Sequence, residues 1–489
     1  MTLAATQIPV GEWLPDLPPL NNPGAIEAKN CIPQEVSYRS LNSLQAFTNA
    51  LNSAALGAIW LQANDNTIFN FAGDVSKLYR LDSGTTWADV SKAGGYSAVV
   101  NWEFTKFGER VVAVADGENC QYYDVGVSSL FADLPGSPPV AARVGVIRDF
   151  IVLGDLQAYG PNFIAWGGFN SSELWTPSRA TQSDRQELFG RGGRVQRIVP
   201  GQYGVIFQEH SIWRMEYVGP PIIFQLDEVE RGRGTPAPNS VAWTGRQVYY
   251  YGHDGFYAFD GAQSTPIGVD RVNRWFEANA DSTALNSMRG VVDRLNRLVI
   301  WAFKSSSSLA NNDHIIIYNW ASNKWGHAQV DTQILAEFVS SGFSLDQLDV
   351  PLPAGIDIDS INVDSNAFKG GVLSLQAFDS SNKSATFSGD PLTAVIDTQE
   401  QSPADGRTRF INSVRPIVDS APTTDITVQA GTRDAQTGNV LFDAPRSLNT
   451  IGEANMRIKS RYQRYRLNIS GGFNHAHGAE AFGRVAGRK

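Results

Sequence analysis

Residues 248–261 read VYYYGHDGFYAFDG. Two aromatic-rich runs flank Gly252-His253-Asp254-Gly255, and a second turn pair, Asp260-Gly261, closes the stretch. Aromatic and β-branched residues fit a pleated, buried surface, while Gly and Asp supply turn geometry. The stretch therefore predicts a tight hairpin, with a turn of type I′ or a close relative. It also sets a histidine beside an aspartate, two frequent members of acid–base sites. Adjacent residues in a tight turn point in different directions, so His253 and Asp254 read as turn formers.

Similar strand-then-turn units recur along the chain. LYRLDSGTTW starts at 78, CQYYDVG at 120, FIAWGGFNSSELW at 163 and SIWRMEYVG at 211. GFYAFDG follows at 255, HIIIYNWASNKW at 314 and VLSLQAFDSSNK at 372, giving offsets of 42, 43, 48, 44, 59 and 58 residues. A four-stranded antiparallel blade with its turns takes about 40 to 50 residues. The period predicts an all-β protein whose residues 56–390 form a β-propeller of six or seven blades. An irregular sandwich is the competing arrangement. The two longer intervals are expected to hold insertions, among them SSSSLANND at 305–313. DSGTTW at 82–87 resembles the Asp-box hairpin of sialidase-type propellers through Asp82, Gly84 and Trp87, although Arg80 stands where that motif prefers Ser. YNWASNKW at 318–325 resembles the strand–turn–Trp hairpin of kelch-like blades. Both brace a turn with a polar side chain and cover it with an indole, and neither implies an activity.

The flanks differ from the middle. Residues 1–55 are punctuated by Pro and Asn, as in IPVGEWLPDLPPLNNPGAIEAKNCIP. Proline fixes its own φ and restricts its predecessor, so an extended arm is expected, anchored by Trp13 and Leu14; a disordered tail is the alternative. Within 271–289, Val272, Trp275 and Phe276 take a short helical spacing, which predicts one surface helix. Residues 391–489 alternate strands and turns in the manner of a separate small β-sandwich. Its last predicted strand is strongly basic, with Arg457, Lys459, Arg461, Arg464 and Arg466 on its polar side. The parity switches between Tyr462 and Tyr465, which predicts a β-bulge near Gln463. The basic strand reads equally as a charged edge that resists aggregation and as a face for docking an acidic neighbour or touching DNA phosphates.

Composition narrows the function. A hydrophobic share of 42% suits a folded chain, while a formal net charge of −9 disfavours tight sequence-independent binding of nucleic acid. Cys31 and Cys120 are the two cysteines; they cannot make a disulfide framework or a C-x-x-C metal site, so cytosolic synthesis is the expectation. The first twenty residues lack a signal peptide's basic start and apolar core, and no apolar run is long enough to span a membrane. His475 and His477 would share a face if extended, with Glu480 nearby, a weak metal signal. FGRGGRVQR at 189–197 lacks a Walker lysine and the strand–loop–helix context of a phosphate loop. A sialidase would need clustered arginines with a Tyr–Glu pair, and Arg148, Arg194, Arg197, Arg214 and Arg231 are available. No G-x-S-x-G elbow occurs. No catalytic residues, no metal and no cofactor are expected.

Several stretches together carry a resemblance. GEWLPDLPPLNNPGAIEAKNCIP near the start, VGVIRDFIVLG, IAWGGFNSSELWTPSRATQSDRQEL and the long run IVPGQYGVIFQEHSIWRMEYVGPPIIFQLDEVERGRGTPAPNSVAWTGRQVYYYGHDGFYAFDG resemble, in order and spacing, the tail nozzle proteins of short-tailed bacteriophages. These are also called packaged-DNA stabilisation proteins. The likeness covers residues 10–290, extends loosely to the HAHG tail, and weakens beyond residue 330. It implies a structural virion protein, made in the bacterial host cytoplasm, that forms a homohexameric ring below the portal and head-to-tail adaptor. Such a ring extends the DNA channel, retains packaged DNA and anchors tail fibre, spike or needle proteins. It would let genomic DNA pass without sequence-specific binding, and an acidic subunit would repel the polyanion. The family brings no catalytic residues. The alternatives are a glycan-binding or sialidase-like propeller of a phage tail and an interaction propeller of cellular origin.

Overall fold

The structure is a computed structural model that describes residues 4–82, 85–339, 373–402 and 407–487. The chain is an all-β protein built on a β-propeller, and among the described residues the propeller has seven four-stranded blades. Their first strands are Gly57–Gln62, Glu103–Phe107, Ala141–Ile147, Val195–Val199, Ala242–Trp243, Arg289–Asp293 and Ile334–Val339. Successive first strands neighbour one another around the axis, except that the fourth meets the fifth blade through the 3-10 turn Pro238–Ser240, and the seventh meets the first. Six of the repeating units seen in the sequence are the third strands of blades 1 to 6, from Leu78–Asp82 through Asn312–Asn319. The seventh unit, Leu373–Phe378, is a second strand, because residues 340–372 fall between it and the first strand of its blade.

The opening stretch forms the middle of blade 5. Val248–Gly252 and Gly255–Phe259 pair antiparallel with Gly252 opposite Gly255, and every residue of both strands is buried. A blade has a neighbour on each face, so both sides of its strands must be apolar; the unbroken aromatic run follows from that. Tyr250 and Tyr257 face blade 4 beside Phe207, whereas Tyr251 and Phe256 face blade 6 beside Trp301 and Trp325. The turn is not of type I′, which needs positive φ at both central residues. Neither His253 nor Asp254 has it, and Gly255 takes φ +128° instead.

Polar turn residues brace the other hairpins as the pattern suggested. Asp74 accepts the backbone N–H groups of Ser76 and Lys77 at 2.8 Å each, and Asp260 those of Ala262 and Gln263 at 2.9 Å each. Asn319 accepts those of Ala321 and Ser322, and fully buried Trp325 covers that turn. Gly84 of the Asp-box resemblance lies outside the described residues. Its partner Trp87 is buried against Phe338 and Phe378 of blade 7.

The ring is closed by a strand from far away in sequence. Blade 7 contains Ile334–Val339, Leu373–Phe378 and Lys383–Thr386, and its outer strand is Gln45–Ala50 from the N-terminal segment. Trp87 reinforces the seam, donating from its backbone to Asn49 Oδ1 at 2.6 Å and from its indole to Ser384 Oγ at 3.2 Å.

The rest of the N-terminal segment is woven into the C-terminal sandwich. One sandwich sheet contains Ala4–Pro9, Cys31–Pro33, Tyr38–Ser40, His475–Val485, Arg409–Asp419 and Ala454–Ser460. The other contains Glu27–Lys29, Ala394–Asp397, Tyr462–Ile469 and Ile426–Arg433, with two short edge strands. Glu27–Lys29 also pairs in parallel with Lys324–Thr332 of blade 6, so this sheet runs unbroken from blade into sandwich. Trp13 is fully buried, with its ring edge-on to Trp275 and stacked on His327. The expected helix spans Asn273–Asn279, followed by a 3-10 segment, and it buries Phe276. Its start has no cap of its own; Asp16 of the arm accepts the N–H groups of Arg274 and Trp275 at 2.9 and 2.8 Å, which satisfies two orphan donors. One hydrophobic core consequently runs from blades 5 and 6 through the arm into the sandwich.

Candidate functional site

The five basic residues do not lie on one strand. Arg457 and Lys459 belong to Ala454–Ser460 in one sandwich sheet, and Arg464 and Arg466 to Tyr462–Ile469 in the other, with Arg461 exposed at the corner. The parity switch is this corner and not a bulge near Gln463, because the chain changes sheets between Ser460 and Tyr462. Arg457, at φ +54°, and Lys459 are exposed. Arg461, with Arg409 and Arg484, borders a cavity of about 500 Å³ between the two sheets.

Arg464 and Arg466 are engaged inside the joint between blade and sandwich. Arg466 grips Asp397 with two bonds, at 2.6 and 2.9 Å, and Arg464 stands 3.8 Å from the same carboxylate. Both guanidiniums lie over the Phe442 ring, 4.0 and 5.0 Å from its centre. Burial pushes the Asp397 carboxyl up against the pull of Arg466. Beside it, Glu27 is hydrogen-bonded to His327 Nε2. Burial pushes Glu27 up too, but the bond and charge of His327, joined by the Ala28 N–H and the charge of Arg466, together leave the carboxyl below its ordinary range. The sequence-predicted docking residues thus divide into two exposed side chains, one at a corner and two counter-ions of a structural joint.

The histidines are also occupied. His253 stacks on His210 at 4.6 Å and its Nε2 is 2.8 Å from the Glu209 carbonyl oxygen. Asp254 accepts instead from Tyr257 Oη at 2.7 Å, so the two turn residues do not form a pair. His475 contacts Ser37 at 2.9 Å, and Glu480 is held by Arg415 and Gln7. Among the described residues, no group of three or more His, Cys, Asp or Glu gathers where it could hold a metal ion. Both cysteines are free and buried, and burial pushes the Cys120 thiol up to about 12. Among the described residues, no helix is long and apolar enough to cross a membrane.

The densest buried charge outside the joint lies on the propeller axis. Glu103, Arg143, Arg197 and Arg289 sit at or near the start of the first strands of blades 2, 3, 4 and 6. First strands run the same way along the axis, so these side chains converge near one level. Glu103 is 3% exposed and lies 3.7 Å from Arg143 and 3.5 Å from Arg197. Arg289 reaches across the axis, where its Nη2 donates to the Leu56 carbonyl oxygen at 3.1 Å and to Asn101 Oδ1 at 2.7 Å. Burial, and then the neighbouring charges of Arg197 and Arg143, push the Arg289 guanidinium down to about 9. Of the arginines considered for a sialidase-like cluster, only Arg197 takes part. Arg194 is paired with Asp155 at 2.7 Å and Arg231 with Glu228. Arg143 and Arg289 were missed because each is a lone charge inside an apolar strand; that interruption, in AARVGVI and MRGVV, was the available signal.

No family model matches the chain, and no curated protein matches it. Solved structures similar to it include the computationally designed Ika8 protein, 11% identical, with 77% of this chain and 99% of that chain covered at a TM-score of 0.38. Another is a chain of the Mitotic Checkpoint Complex, 8% identical, with 72% and 95% covered at the same TM-score. At that score neither carries an argument about function. The chain is a β-propeller protein on the strength of its own strand pairing.

Proposed function

We propose that the chain is the tail nozzle subunit of a short-tailed bacteriophage: a structural, non-catalytic virion protein that assembles as a homohexameric ring below the adaptor. The observation that carries this reading is the shared core of arm, propeller and sandwich. Together with the ordered resemblance over residues 10–290, it supports one continuously packed body, suited to a ring that must hold against packaged DNA and anchor tail fibres, spikes or a needle. In this reading the DNA channel is the hole between subunits. The propeller axis cannot serve, because the Arg289 side chain bridges it. An acidic subunit, at −9, would give such a channel little hold on a polyanion.

Native mass measurement and electron microscopy of the purified protein test the proposal. A hexameric ring, or a ring formed on addition of adaptor complexes, is expected. A strictly monomeric chain with no adaptor affinity would refute it. The glycan reading retains an arginine cluster, but among the described residues no tyrosine lines the axial cavity beside Glu103. Turnover of a fluorogenic sialoside that is lost in Arg197→Lys would revive it.

A further inference from the structure

The axial cluster carries more positive charge than the protein neutralises. Among the described residues Glu103 is the one carboxylate within ion-pair distance of Arg143 and Arg197. The next carboxylates have arginines of their own, Asp155 with Arg194 at 2.7 Å and Glu337 with Arg294 at 3.5 Å, although Glu337 Oε1 accepts no hydrogen bond. Arg289 has no carboxylate within ion-pair distance among the described residues, and its two hydrogen bonds both leave from Nη2. The Glu103 contacts are loose, and two donors of the cluster, Arg143 Nε and Asn101 Nδ2, are buried without a hydrogen-bond partner; Glu103 Oε2 is buried and unpartnered too, but as an acceptor it opposes an anion. Arg143 itself is 9% exposed. Groups of this kind, removed from water and unpaired, cost free energy unless a ligand satisfies them.

Beside Arg197 and Arg289 is room for one, with Arg143 and Asn101 outside its lining. A cavity of about 190 Å³ is lined by Glu103, Arg197, Arg289, Asn239, Trp102 and Glu337. Guanidiniums present planar forks of N–H donors that match oxyanions two bonds at a time. The indole of Trp102 is turned away to the Asp74 carbonyl oxygen at 2.8 Å, so the arginines and Asn239 are left to meet the ligand.

We propose that the propeller axis is a binding site for one small oxyanion, a phosphate- or carboxylate-type group, held between Arg197 and Arg289 with Arg143 adding charge from behind Glu103. The bound ion would tie blades 4 and 6 across the axis. The site is independent of the nozzle reading.

The test is calorimetric titration of the full chain with inorganic phosphate, and separately with acetate, at ionic strength fixed with chloride. Native mass spectrometry gives the stoichiometry. One oxyanion per chain is expected, and whichever probe binds tighter tells a tetrahedral ion from a carboxylate. Glu103→Gln removes the competing anion and is expected to tighten binding at least tenfold, a gain that misfolding cannot imitate. Arg289→Gln is expected to weaken it at least tenfold. Absence of saturable uptake of either probe by the wild-type chain would overturn the proposal, as would an affinity unchanged in Glu103→Gln.

Discussion

Trp13→Ala tests whether the N-terminal arm is fixed by one side chain. The indole is fully buried, with its ring centre 4.8 Å from Trp275 and 4.5 Å from His327. Truncating a buried Trp to Ala costs about 3–5 kcal/mol, and each good aromatic pair adds about 0.5–1.5 kcal/mol beyond its burial. One feature works the other way. The indole Nε1 is buried without a partner, a defect of about 1–3 kcal/mol that the substitution removes. With two such pairs the balance is at least about 3 kcal/mol, at least roughly a hundredfold in an opening equilibrium. The loss should appear locally, because residues 11–26 are held to the rest of the protein by Trp13, the Asp16 cap and a few single backbone bonds, Trp13 N–H to Tyr38 Oη at 2.8 Å, Asp16 N–H to Arg271 O at 3.2 Å and Ile26 N–H to Asp397 O at 3.1 Å. Hydrogen exchange followed by mass spectrometry reads it directly. Peptides covering 11–26 should exchange at least about a hundredfold faster, while Phe150–Leu156 in blade 3 keeps its protection. Unchanged exchange at 11–26 would refute the anchoring. A uniform rise across blade 3 would refute its local character.

Other outcomes follow from the joint and the turns. Arg466→Ala leaves Asp397 buried without its bidentate partner and should cost about 3–5 kcal/mol by denaturant titration, whereas exposed Lys459→Ala should stay within about 0.5 kcal/mol. Equal effects would restore a single basic face. Glu27 is held below the ordinary carboxylate range in the folded state. Its contribution is therefore present above the unfolded carboxylate pKa and lost as pH falls through the folded value. Thermal scans from pH 7 down to the acid end should show wild type losing more stability than Glu27→Gln, and parallel curves would contradict the pairing. Gly255→Ala puts a methyl group where φ is +128° and against the Asn273 side chain, so a loss of about 2 kcal/mol is expected. Asn273→Ala should relieve part of it in a double-mutant cycle.

The propeller was legible because its evidence is local. The third strands of blades 1, 2, 5 and 6 carry aromatic residues into an Asp or Asn at the strand end, Asp82, Asp124, Asp260 and Asn319, so the repeat could be counted without knowing what it packs on. Blade 7 broke the count through the residues between Val339 and Leu373, and its closing strand Gln45–Ala50 was invisible for the opposite reason. Its partner Lys383–Thr386 is more than 300 residues away, and nothing in QAFTNA specifies an edge so distant. The arm was read correctly as extended and anchored at Trp13, but extended backbone that lies on a surface and backbone that joins two sheets have the same proline-punctuated sequence.

The charged residues divide on the same principle. Alternation reports which face of a strand is polar, not whether polarity means water or a buried partner. Arg464 and Arg466 alternate as faithfully as Arg457 and Lys459, yet both pair with Asp397 within a continuous sheet, Arg466 by two hydrogen bonds and Arg464 as an ion pair at 3.8 Å. At the axis the logic reverses. Arg143, Arg197 and Arg289 interrupt apolar first strands singly, 54 and 92 residues apart, and only ring closure brings them together. A lone charge in a buried strand costs too much to stand without a partner; three such charges in the first strands of one propeller must share theirs. Among the described residues Glu103 is the one carboxylate within ion-pair distance of any of the three, so the closure of the ring itself gathers more cationic than anionic charge on the axis.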